Sequence, residues 1–423
     1  VTGTNSDYRL RLSPEYQYEF VLTLLNEILV KRNGVNIEVP GAVLDKIAPY
    51  SLDKFLSRHK LDKEVIDHLI NDLINNSKKS VVTAGETLPE EAHSAVLLLN
   101  EVIGAAALYD RKNPKVLQKE LSSSEDLKKL TQKMKKSQVG AVIHFDTNPA
   151  YHFASELEYE KALKNVPDVV TFCEIENESC ESSSYMLPQN HALESWGDFI
   201  SRQGIIDIQQ PVISPLYNTR QKEAVLLTWI NKDPESYSYD IYHKFMKNRW
   251  KSELYPKLAL GFGFDKFWYS ALHDGFYEFD KNLFNGKDSG NLNYKVSSFI
   301  NTKKPKEKNK FTVILTGNPD LGDGRYANNG WLQEIPDTVS KVVWDNYGAV
   351  SPATASKIGV GYADNEADMI EVSAGGRKLK LPVLVQPGMA DDTVAIQLGY
   401  GRTKAGEIGT DVGFNGIKLM TAD

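Results

Sequence analysis

Polar side chains that could bind a ligand follow two short apolar runs in the middle of the chain. The first run, 139–145 (VGAVIHF), leads into 146–149 (DTNP), and the second, 168–175 (DVVTFCEI), leads into 177–179 (NES). Both runs are too short for helices and end sharply, which favours strands. In a parallel sheet, ligands bind beyond the carboxyl ends of the strands. We therefore predict that the two polar segments lie at a common ligand-binding edge.

The residues at this edge do not match the patterns expected for acid–base catalysis or for metal binding. Asp146 and Thr147 after an apolar strand resemble the Asp-Thr-Gly of aspartic proteases, which need two such carboxylates sharing a proton. Asn148 stands in the place of the glycine, and the chain has no second copy of the motif. His144 and His152 are eight residues apart, with no third ligand at a metal-like spacing. No catalytic residue and no metal ligand is therefore predicted here.

The two cysteines and one glycine pair are further candidates. Cys173 and Cys180 are too few for an iron–sulfur cluster, which needs about four thiolates. Cys173 falls inside the second predicted strand and is expected to be a small core residue. Cys180 lies in the loop that follows, where a reactive thiol is the alternative to a structural one. Gly399-Tyr400-Gly401 opens no predicted helix, so it is expected to be a turn and not a nucleotide-binding loop.

A helix must connect the two strands if they are to lie parallel. Residues 155–164 (SELEYEKALK) supply it, with leucines on its apolar side and acidic residues in its first turns, where the helix dipole favours them. Strand, helix and strand at this spacing predict a βαβ unit. Both of its strands are then expected to be parallel and buried.

Composition narrows the classes of function. The chain has 423 residues, which allows two to four domains, and its 41% hydrophobic and 25% charged residues are ordinary for a globular protein. A net charge of −7 without a basic stripe excludes nucleic acid as an expected partner. No apolar stretch approaches the length of a membrane span, and the first residues have neither the basic start nor the apolar core of a signal peptide.

The N-terminal quarter is predicted to be an α/β domain over residues 1–112. Its expected elements are one strand at 80–84 (SVVTA) and four helices, at 13–30, 52–59, 63–75 and 89–103. Ser13 and Pro14 supply the cap and first position of the first helix. A capping-box pattern formed by Ser122 and Glu125 then predicts an amphipathic helix up to about residue 136.

A second α/β domain is predicted over residues 113–310. It contains the βαβ unit, followed by an extended stretch at 204–213, a helix at 221–230 and a helix at 264–276 that ends at a glycine. The lysine-rich segment 303–310 (KKPKEKNK) is expected to be an exposed linker.

The last part of the chain, 311–423, is predicted to be a closed β-barrel with one helical insert. Leu379, Leu381, Val383 and Val385 alternate on one face, and Gly-Gly and Pro-Gly pairs supply turns. The insert is a helical turn at 351–356, capped by a serine and closed by a glycine at position 359.

Several blocks in this order carry a family resemblance. NPAY at 148–151, IENES at 175–179, MLPQNHALESWGD at 186–198 and QPVISPLY at 210–217 are similar to segments of the molybdopterin oxidoreductase superfamily. More narrowly, they resemble the B subunit of alternative complex III, a respiratory quinol oxidoreductase. The match continues through 84–104, which contains His93 and Asn100, and through four C-terminal blocks at 324–337, 344–355, 398–406 and 412–423.

The resemblance implies the fold in more detail. It implies an α/β protein with a multi-layer, parallel-sheet (Rossmann-like) body and a C-terminal double-psi β-barrel. It also implies that an upstream part of this body, and a cysteine-rich, ferredoxin-like region after the barrel, lie outside the chain. On this basis 1–112 resembles superfamily domain III, 113–310 domains I and II, and 311–423 domain IV.

The resemblance also assigns candidate cofactor-binding residues. In catalytic members the matching segments line the cleft of the pterin dinucleotide, where backbone amides and small polar side chains can hold a diphosphate. The matching residues in this chain are Asn148, Pro149, Asn177, Glu178, Ser179, Glu194, Trp196, Gly197, Asn328, Asn329, Trp331 and Asn415.

The cleft is nevertheless expected to be vestigial. The closest branch is understood to have lost the cofactor, and Glu176, Glu178 and Glu194 would place negative charge near a pyrophosphate. Glu194 is expected to be a structural, capping or paired carboxylate, while Trp196 and Trp331 would fill the vacated cleft if they point inward. The alternative is a genuine molybdopterin guanine dinucleotide enzyme whose metal ligand lies outside the chain. Basic residues such as Arg220 or Arg325 would then enter the cleft.

The resemblance finally implies partners and a location. It implies a structural role, non-catalytic in isolation, in a membrane-bound respiratory complex. The partners would include an iron–sulfur domain and a quinol-binding membrane subunit. The implied location is the periplasmic side of the bacterial inner membrane, without a membrane span of the chain's own.

Overall fold

The computed structural model describes residues 2–32, 39–108, 121–280, 311–361 and 367–422. Its first part is a group of helices around one apolar core, in which Leu25, Ile28, Ile66, Ile70 and Leu99 are fully buried. The helices are α1 (Gln17–Asn26), α2 (Gly41–Ile47), α3 (Leu52–His59), α4 (Lys63–Asn75) and α5 (Glu90–Val102).

The helices predicted in this part are confirmed. Pro14 occupies the first position of a short 3₁₀ turn that leads into α1, although the Ser13 side chain makes no capping hydrogen bond. The helix then continues as a π turn, Glu27–Lys31. Asp62 caps α4 by accepting a hydrogen bond from the backbone of Glu64.

The strand predicted at 80–84 is wrong. Val82 is extended, but its backbone groups pair with a side chain and not with another strand. The Asn100 side chain accepts from the Val82 N–H at 2.8 Å and donates to the Val82 carbonyl at 2.7 Å. One buried amide therefore satisfies both backbone groups. The described residues of 1–112 contain helices and no strand, so the α/β character predicted for this part is not found there.

The predicted βαβ unit is confirmed as part of a three-stranded parallel sheet. Its strands pair in the order β1-β2-β3, with Ala141 opposite Asp168 and Val170 opposite Tyr185. A capping box at Ser123 and Asp126, one residue later than predicted, begins the preceding helix. The elements are α6 (Ser124–Lys135), β1 (Ala141–Phe145), α7 (Pro149–His152), α8 (Tyr159–Leu163), β2 (Asp168–Cys173) and β3 (Tyr185–Pro188).

Two details of the unit differ from the prediction. The first strand is an edge strand and not a buried one, since Ile143 is 41% and Phe145 37% exposed. The predicted continuous helix at 155–164 is broken at Glu158, which takes a left-handed conformation (φ 50°) between a 3₁₀ turn and α8. Lys135 and Lys161 pair with the Glu158 carboxylate at 2.6 and 2.7 Å and hold this turn in place.

An antiparallel sheet follows, packed on an aromatic cluster. The elements are β4 (Gly197–Arg202), β5 (Ile205–Gln209), α9 (Lys222–Asn231), α10 (Ile241–Arg249), α11 (Tyr255–Leu258), α12 (Phe264–Asp274) and β6 (Phe276–Glu278). Trp250, Phe267 and Trp268 are almost fully buried, and the Trp250 indole donates to Asp198 at 2.6 Å. The helix predicted to end at Gly275 does so, with the glycine at φ 78°. The β5 strand lies within the predicted extended stretch 204–213, whereas β4 and the β4–β5 hairpin were not predicted.

The C-terminal part contains a mixed five-stranded sheet in the order β7-β11-β8-β10-β9. The β11 strand is parallel to β7 and antiparallel to β8, whereas β10 is parallel to β8 and antiparallel to β9. The elements are β7 (Thr312–Thr316), α13 (Gly330–Glu334), β8 (Gly348–Val350), α14 (Pro352–Ile358), β9 (Met369–Ala374), β10 (Arg377–Val385), β11 (Thr393–Gln397) and α15 (Gly406–Gly409).

One apolar core unites this sheet, as predicted. Leu379, Leu381, Val383 and Val385 are all buried on its inner face, together with residues of β11. Ser351 caps the helical insert, which ends at a left-handed glycine. The described strands form a curled half-barrel with β7 and β9 at its edges, in place of the closed barrel expected from the sequence. The predicted linker 303–310 and the predicted domain boundaries lie outside the described residues.

Candidate functional site at the ends of the parallel strands

The two polar segments that follow β1 and β2 meet, as their positions in the sequence predicted. The Asn148 side-chain oxygen accepts hydrogen bonds from the Ser179 backbone N–H at 3.1 Å and from the Ser179 hydroxyl at 2.8 Å. The Ser179 hydroxyl in turn accepts from the Ala150 backbone at 3.1 Å. Asn177 caps the same turn, and Pro149 begins α7. Asn148 and Ser179 are buried, so these hydrogen bonds fix both loops.

Glu178 forms a buried ion pair with an arginine more than 200 residues away in the sequence. The Arg402 Nε lies 2.9 Å from both carboxylate oxygens, and Nη2 lies 2.8 Å from Oε2. The carboxylate also accepts from the Asn148 amide at 2.7 Å and from the Thr403 backbone at 2.8 Å. Glu178 is 8% and Arg402 5% exposed.

Arg402 is satisfied on all sides. Its Nη1 donates to the Gly324 carbonyl at 2.7 Å, and its Nη2 donates to the Lys404 carbonyl at 2.8 Å. The guanidinium lies over the Tyr151 ring, 4.9 Å from its centre. The Tyr151 hydroxyl donates to the Tyr400 carbonyl at 2.7 Å. We call Asn148, Tyr151, Glu178, Ser179 and Arg402 the strand-end junction, because they join the parallel sheet to the loops of the half-barrel.

Glycines allow the arginine to reach this position. Gly401 has a φ of 68°, and a Cβ atom built on it would lie 2.1 Å from the Asn415 backbone nitrogen. Two loops cross here, with the Gly401 N–H donating to the Val412 carbonyl and the Asp411 N–H to the Arg402 carbonyl, both at 2.7 Å. Only glycine permits this conformation and this close approach together. No helix begins at Gly399-Tyr400-Gly401, in agreement with the predicted turn.

The electrostatics of the junction are balanced internally. Burial by itself would raise the pKa of Glu178, but the hydrogen bonds and charge of Arg402 lower it below its ordinary value. Lys404 compensates Glu176 at 3.1 Å and approaches Glu181 at 3.8 Å. Burial raises the pKa of Tyr151, which keeps the phenol neutral.

The basic residues considered from the sequence do not supply this compensation. Arg220 lies over the rings of Tyr237 and Tyr239, at 5.2 and 5.8 Å from their centres. Arg325 binds Asp323 within its own loop at 2.8 Å. Arg402 was missed because nothing in a single sequence pairs it with Glu178, although it lies in one of the blocks that carry the resemblance.

Asp146 also has a structural partnership and not a catalytic one. Its carboxylate accepts hydrogen bonds from the side chains of Gln189 and Lys222. Burial would raise the pKa of Asp146, but these two donors lower it.

The histidines near β1 have ordinary structural roles. His144 is buried between the Thr171 hydroxyl at 2.8 Å and the Tyr159 hydroxyl at 2.9 Å, and burial lowers its pKa. His152 lies 2.9 Å from the Asp323 carbonyl oxygen. Within the described ranges, no group of three His, Cys, Asp or Glu side chains could hold a metal ion.

The Glu194 block lies apart from the junction. Glu194 forms a capping box with His191, and its carboxylate accepts from the His191 and Leu216 backbones, both at 2.9 Å. The expectation of a capping carboxylate is confirmed. Trp196 stacks on His243 at 4.2 Å and packs against the aromatic cluster, and Gly197 begins β4.

The half-barrel candidates are mostly helix caps and loop contacts. Asn328 accepts from the Ile408 backbone at 3.0 Å, Asn329 caps α13, and Asn415 caps the 3₁₀ turn Gly416–Leu419. Trp331 is 83% exposed. The prediction that the two tryptophans would fill a vacated cleft required both rings to point inward, whereas Trp331 is exposed and Trp196 packs against the aromatic cluster.

These contacts test how well the junction fits a pterin dinucleotide. The Asn148 oxygen, both Glu178 oxygens and all three nitrogens of the Arg402 guanidinium already have partners within the protein. A diphosphate there would have to displace a buried carboxylate from its arginine or lie against it. The junction residues consequently do not fit a diphosphate ligand.

Comparison with known proteins first defines the class of fold. No family model matches the chain. Among solved structures, the acetylene hydratase from Pelobacter acetylenicus aligns with a TM-score of 0.64 over 96% of this chain and 67% of that protein, at 14% sequence identity. The chain therefore has a molybdopterin-oxidoreductase-like fold.

A curated relative then gives a more particular similarity. The chain is 22% identical, over 453 aligned positions, to the menaquinone reductase, molybdopterin-binding-like subunit, of Nitratidesulfovibrio vulgaris (strain Hildenborough). The alignment covers 99% of this chain and 61% of the relative, so the chain spans less than two thirds of that subunit.

Proposed function

We propose that this chain is the molybdopterin-oxidoreductase-like part of a subunit of a quinone-linked respiratory complex, and that its role there is structural. The observation that carries the proposal is the strand-end junction. The resemblance implies that Asn148, Glu178 and Ser179 of this junction line the cofactor cleft, whereas here Glu178 is buried against Arg402 and the pair holds two parts of the protein together.

The relative supports the respiratory setting. By its name, that relative is a molybdopterin-binding-like subunit of a menaquinone reductase. We extend this to an assembly with an iron–sulfur domain and a quinol-binding membrane subunit, on the periplasmic side of the inner membrane, and to the B subunit of alternative complex III as the nearest type. The same proposal assigns the curled half-barrel as a double-psi barrel. No helix within the described residues is long and apolar enough to cross a membrane.

An exposed apolar surface next to the parallel sheet supports a docking role. A cavity of about 420 Å³ is lined by residues that include Tyr185, Asn218 and Trp229. The neighbouring side chains Tyr217 and Ile230 are 79% and 74% exposed. Contiguous exposed apolar residues mark interaction sites on soluble surfaces. We assign this surface to a partner subunit of the complex.

Native purification of the full-length protein from membranes tests the assembly. We expect membrane subunits with haem and iron–sulfur centres to co-purify, and the double variant Leu216→Ser, Tyr217→Ser to reduce their recovery by roughly tenfold, the effect of losing about 1.4 kcal/mol. Leu121→Ser is the matched control, because Leu121 is 86% exposed in a different part of the chain. A monomer that is active alone on a soluble substrate would contradict the proposal.

Metal and pterin analysis tests the role of the junction. Full-length protein made in a molybdenum-replete host is expected to yield no stoichiometric pterin. Stoichiometric pterin would instead establish the alternative, a genuine molybdopterin guanine dinucleotide oxidoreductase. In that case the dinucleotide would have to bind away from the Glu178–Arg402 pair or displace it.

A further inference from the structure

The two cysteines of the chain, separated by seven positions, meet at the edge of the strand-end junction. Cys173 is the last residue of β2, and Cys180 lies in the 3₁₀ turn Glu178–Ser182 that follows the strand-end loop. Their sulfur atoms are 3.5 Å apart, and both are free thiols. The sequence predicted a core role for Cys173 but did not predict that the two sulfurs would be in contact.

The two thiols differ in exposure and in hydrogen bonding. Cys173 is 7% exposed, whereas Cys180 is only half-buried. The Cys180 sulfur lies 3.5 Å from the Cys173 sulfur, accepts a hydrogen bond from the Asn177 backbone N–H at 3.5 Å, and lies 3.7 Å from the Asn177 side-chain oxygen. The contact with Cys173 and the Asn177 N–H lower the pKa of Cys180, against the opposing effects of burial and of the Glu176 and Glu178 charges, whereas the contact with Cys180 and burial raise the pKa of Cys173. Because Cys180 is the more accessible thiol, it is the sulfur that an external disulfide can reach, and Cys173 is placed to attack it in the second step.

We propose that Cys173 and Cys180 form a redox-active dithiol that closes reversibly into an intramolecular disulfide by exchange with a low-molecular-weight disulfide. An S–S bond is about 2.05 Å long, so the sulfurs must approach by roughly 1.5 Å. The segment that must adjust is the short loop 174–179, since β2 is held in the sheet on both sides.

The reaction is ordinary thiol–disulfide exchange. The Cys180 thiolate attacks one sulfur of the oxidant, such as oxidised glutathione, and forms a mixed disulfide while one glutathione thiolate leaves. The Cys173 thiol then loses its proton, and its sulfur attacks the Cys180 sulfur and expels the second glutathione thiolate. In total the protein gives up two protons and two electrons, and the two glutathiones take them up.

The disulfide would act on the loop that carries the junction. The loop between the cysteines contains Glu176, which pairs with Lys404, and Glu178, which pairs with Arg402. Closing this ring ties the loop to the end of β2 from both sides. Oxidation is therefore expected to slow hydrogen exchange at the Ser179 amide, which already donates to Asn148 and Asn177.

The proposal is tested by incubating the whole protein in glutathione redox buffers, followed by acid quenching, alkylation and peptide mass spectrometry. No Lys or Arg lies between Lys164 and Arg202, so trypsin leaves both cysteines in one peptide. Oxidised wild-type protein is expected to yield this peptide unalkylated and lighter by two hydrogens, and reduction should restore two alkylation sites. A persistent glutathione adduct on the wild-type protein, or a dimer linked between chains, would overturn the proposal.

Two variants assign the roles of the sulfurs. Cys173→Ser is expected to stop at a stable glutathione adduct on Cys180, whereas Cys180→Ser should form an adduct on Cys173 at least about tenfold more slowly under native conditions. Equal rates at the two positions would contradict the assignment. The peptide mass of the wild-type protein shows whether the disulfide forms. That result does not depend on the variants, so it stands even if a variant fails to fold.

Discussion

Glu178 and Glu194 have the same side chain, and each carboxylate accepts two backbone N–H groups, but they lie in opposite environments. The donors to Glu178 are Thr403 and Lys404, more than 200 residues away, whereas those to Glu194 are the nearby His191 and Leu216. Glu178 is buried and has an arginine fixed against it, whereas Glu194 remains in contact with solvent and binds no cation in the described part of the chain. Since both carboxylates accept two backbone N–H groups, the difference shows that burial creates the requirement for a countercharge.

The surroundings of the two glutamates differ as well. The strand-end junction connects the parallel sheet to loops near residues 324 and 402, so it couples separate parts of the chain. In the described part of the chain, the hydrogen bonds of Glu194 connect residues between 190 and 216. Substitutions at the junction are therefore expected to affect global stability, and those at the turn to remain local.

The largest effect is expected from Arg402→Met. This change leaves the Glu178 carboxylate buried without its partner, which typically costs about 3–5 kcal/mol. The free energy of the first unfolding transition in urea measures it. Arg325→Met is the matched control, because Arg325 is 61% exposed and its pair with Asp323 should be worth less than about 1 kcal/mol. Equal losses in the two variants would remove the distinction between buried and exposed pairs.

Gly401→Ala is expected to cost roughly 3 kcal/mol. The left-handed backbone disfavours a side chain by about 1–2 kcal/mol, and forcing a methyl group into packed atoms adds about 1–3 kcal/mol. The added Cβ would meet the backbone of the crossing loop at 2.1 Å.

Gly359→Ala is the control for Gly401→Ala. It has a similar φ of 76°, but no atoms lie within 4 Å of its Cβ position. The same unfolding assay should show only the conformational part of the loss there. If both alanine variants lose the same stability, the loop crossing is not tight.

The next largest effect is expected in the pH dependence of the free energy of unfolding, to which the Glu178–Arg402 pair should contribute. The folded-state pKa of Glu178 is lowered, so its contribution is fully present above the unfolded pKa of about 4.3 and is lost as the pH falls through the folded value. Each unit of lowering contributes about 1.4 kcal/mol. Urea unfolding in a series of acidic buffers should therefore give a shallower acid loss for Glu178→Gln than for the wild type. If the free energies of unfolding of the variant and the wild type fall in parallel with pH, this carboxylate does not contribute to the acid loss of stability.

The smallest effect is expected from Trp331→Ala. At 83% exposure this side chain has little packing to lose, and surface changes of this kind stay within about 0.5 kcal/mol. Trp196→Ala removes a ring stacked on His243 and should cost at least about 1 kcal/mol. Urea unfolding of both variants checks the difference. A large loss for Trp331→Ala would show that this ring is buried in the full assembly.

Much of the local structure could be predicted because short-range rules fix it. Pro14, Ser351 and Gly275 mark helix ends by their own backbone preferences, and the alternation from Leu379 to Val385 fixes one face of a strand. The meeting of the Asn148 and Ser179 loops also followed from the sequence, since parallel strands bring their carboxyl ends to one edge.

Other features depended on contacts that the sequence does not display. The 80–84 segment has a strand-like composition, but a single buried amide, that of Asn100, takes the place of a neighbouring strand. The exposure of β1 depends on its position at the sheet edge, which periodicity does not reveal. Trp196 and Trp331 are equally apolar, and only packing decides which one is covered.

The sequence by itself determined the parallel βαβ unit, the β-rich C-terminal part and the edge at which polar residues gather, because these follow from periodicity, turn residues and chain direction. Tertiary structure alone decided that Arg402 neutralises Glu178 and that the sulfurs of Cys173 and Cys180 touch. The physical reason is the distance along the chain over which each interaction acts. Secondary structure is set by neighbours along the chain, whereas a buried charge is stabilised by whichever group the folded chain brings within hydrogen-bonding distance.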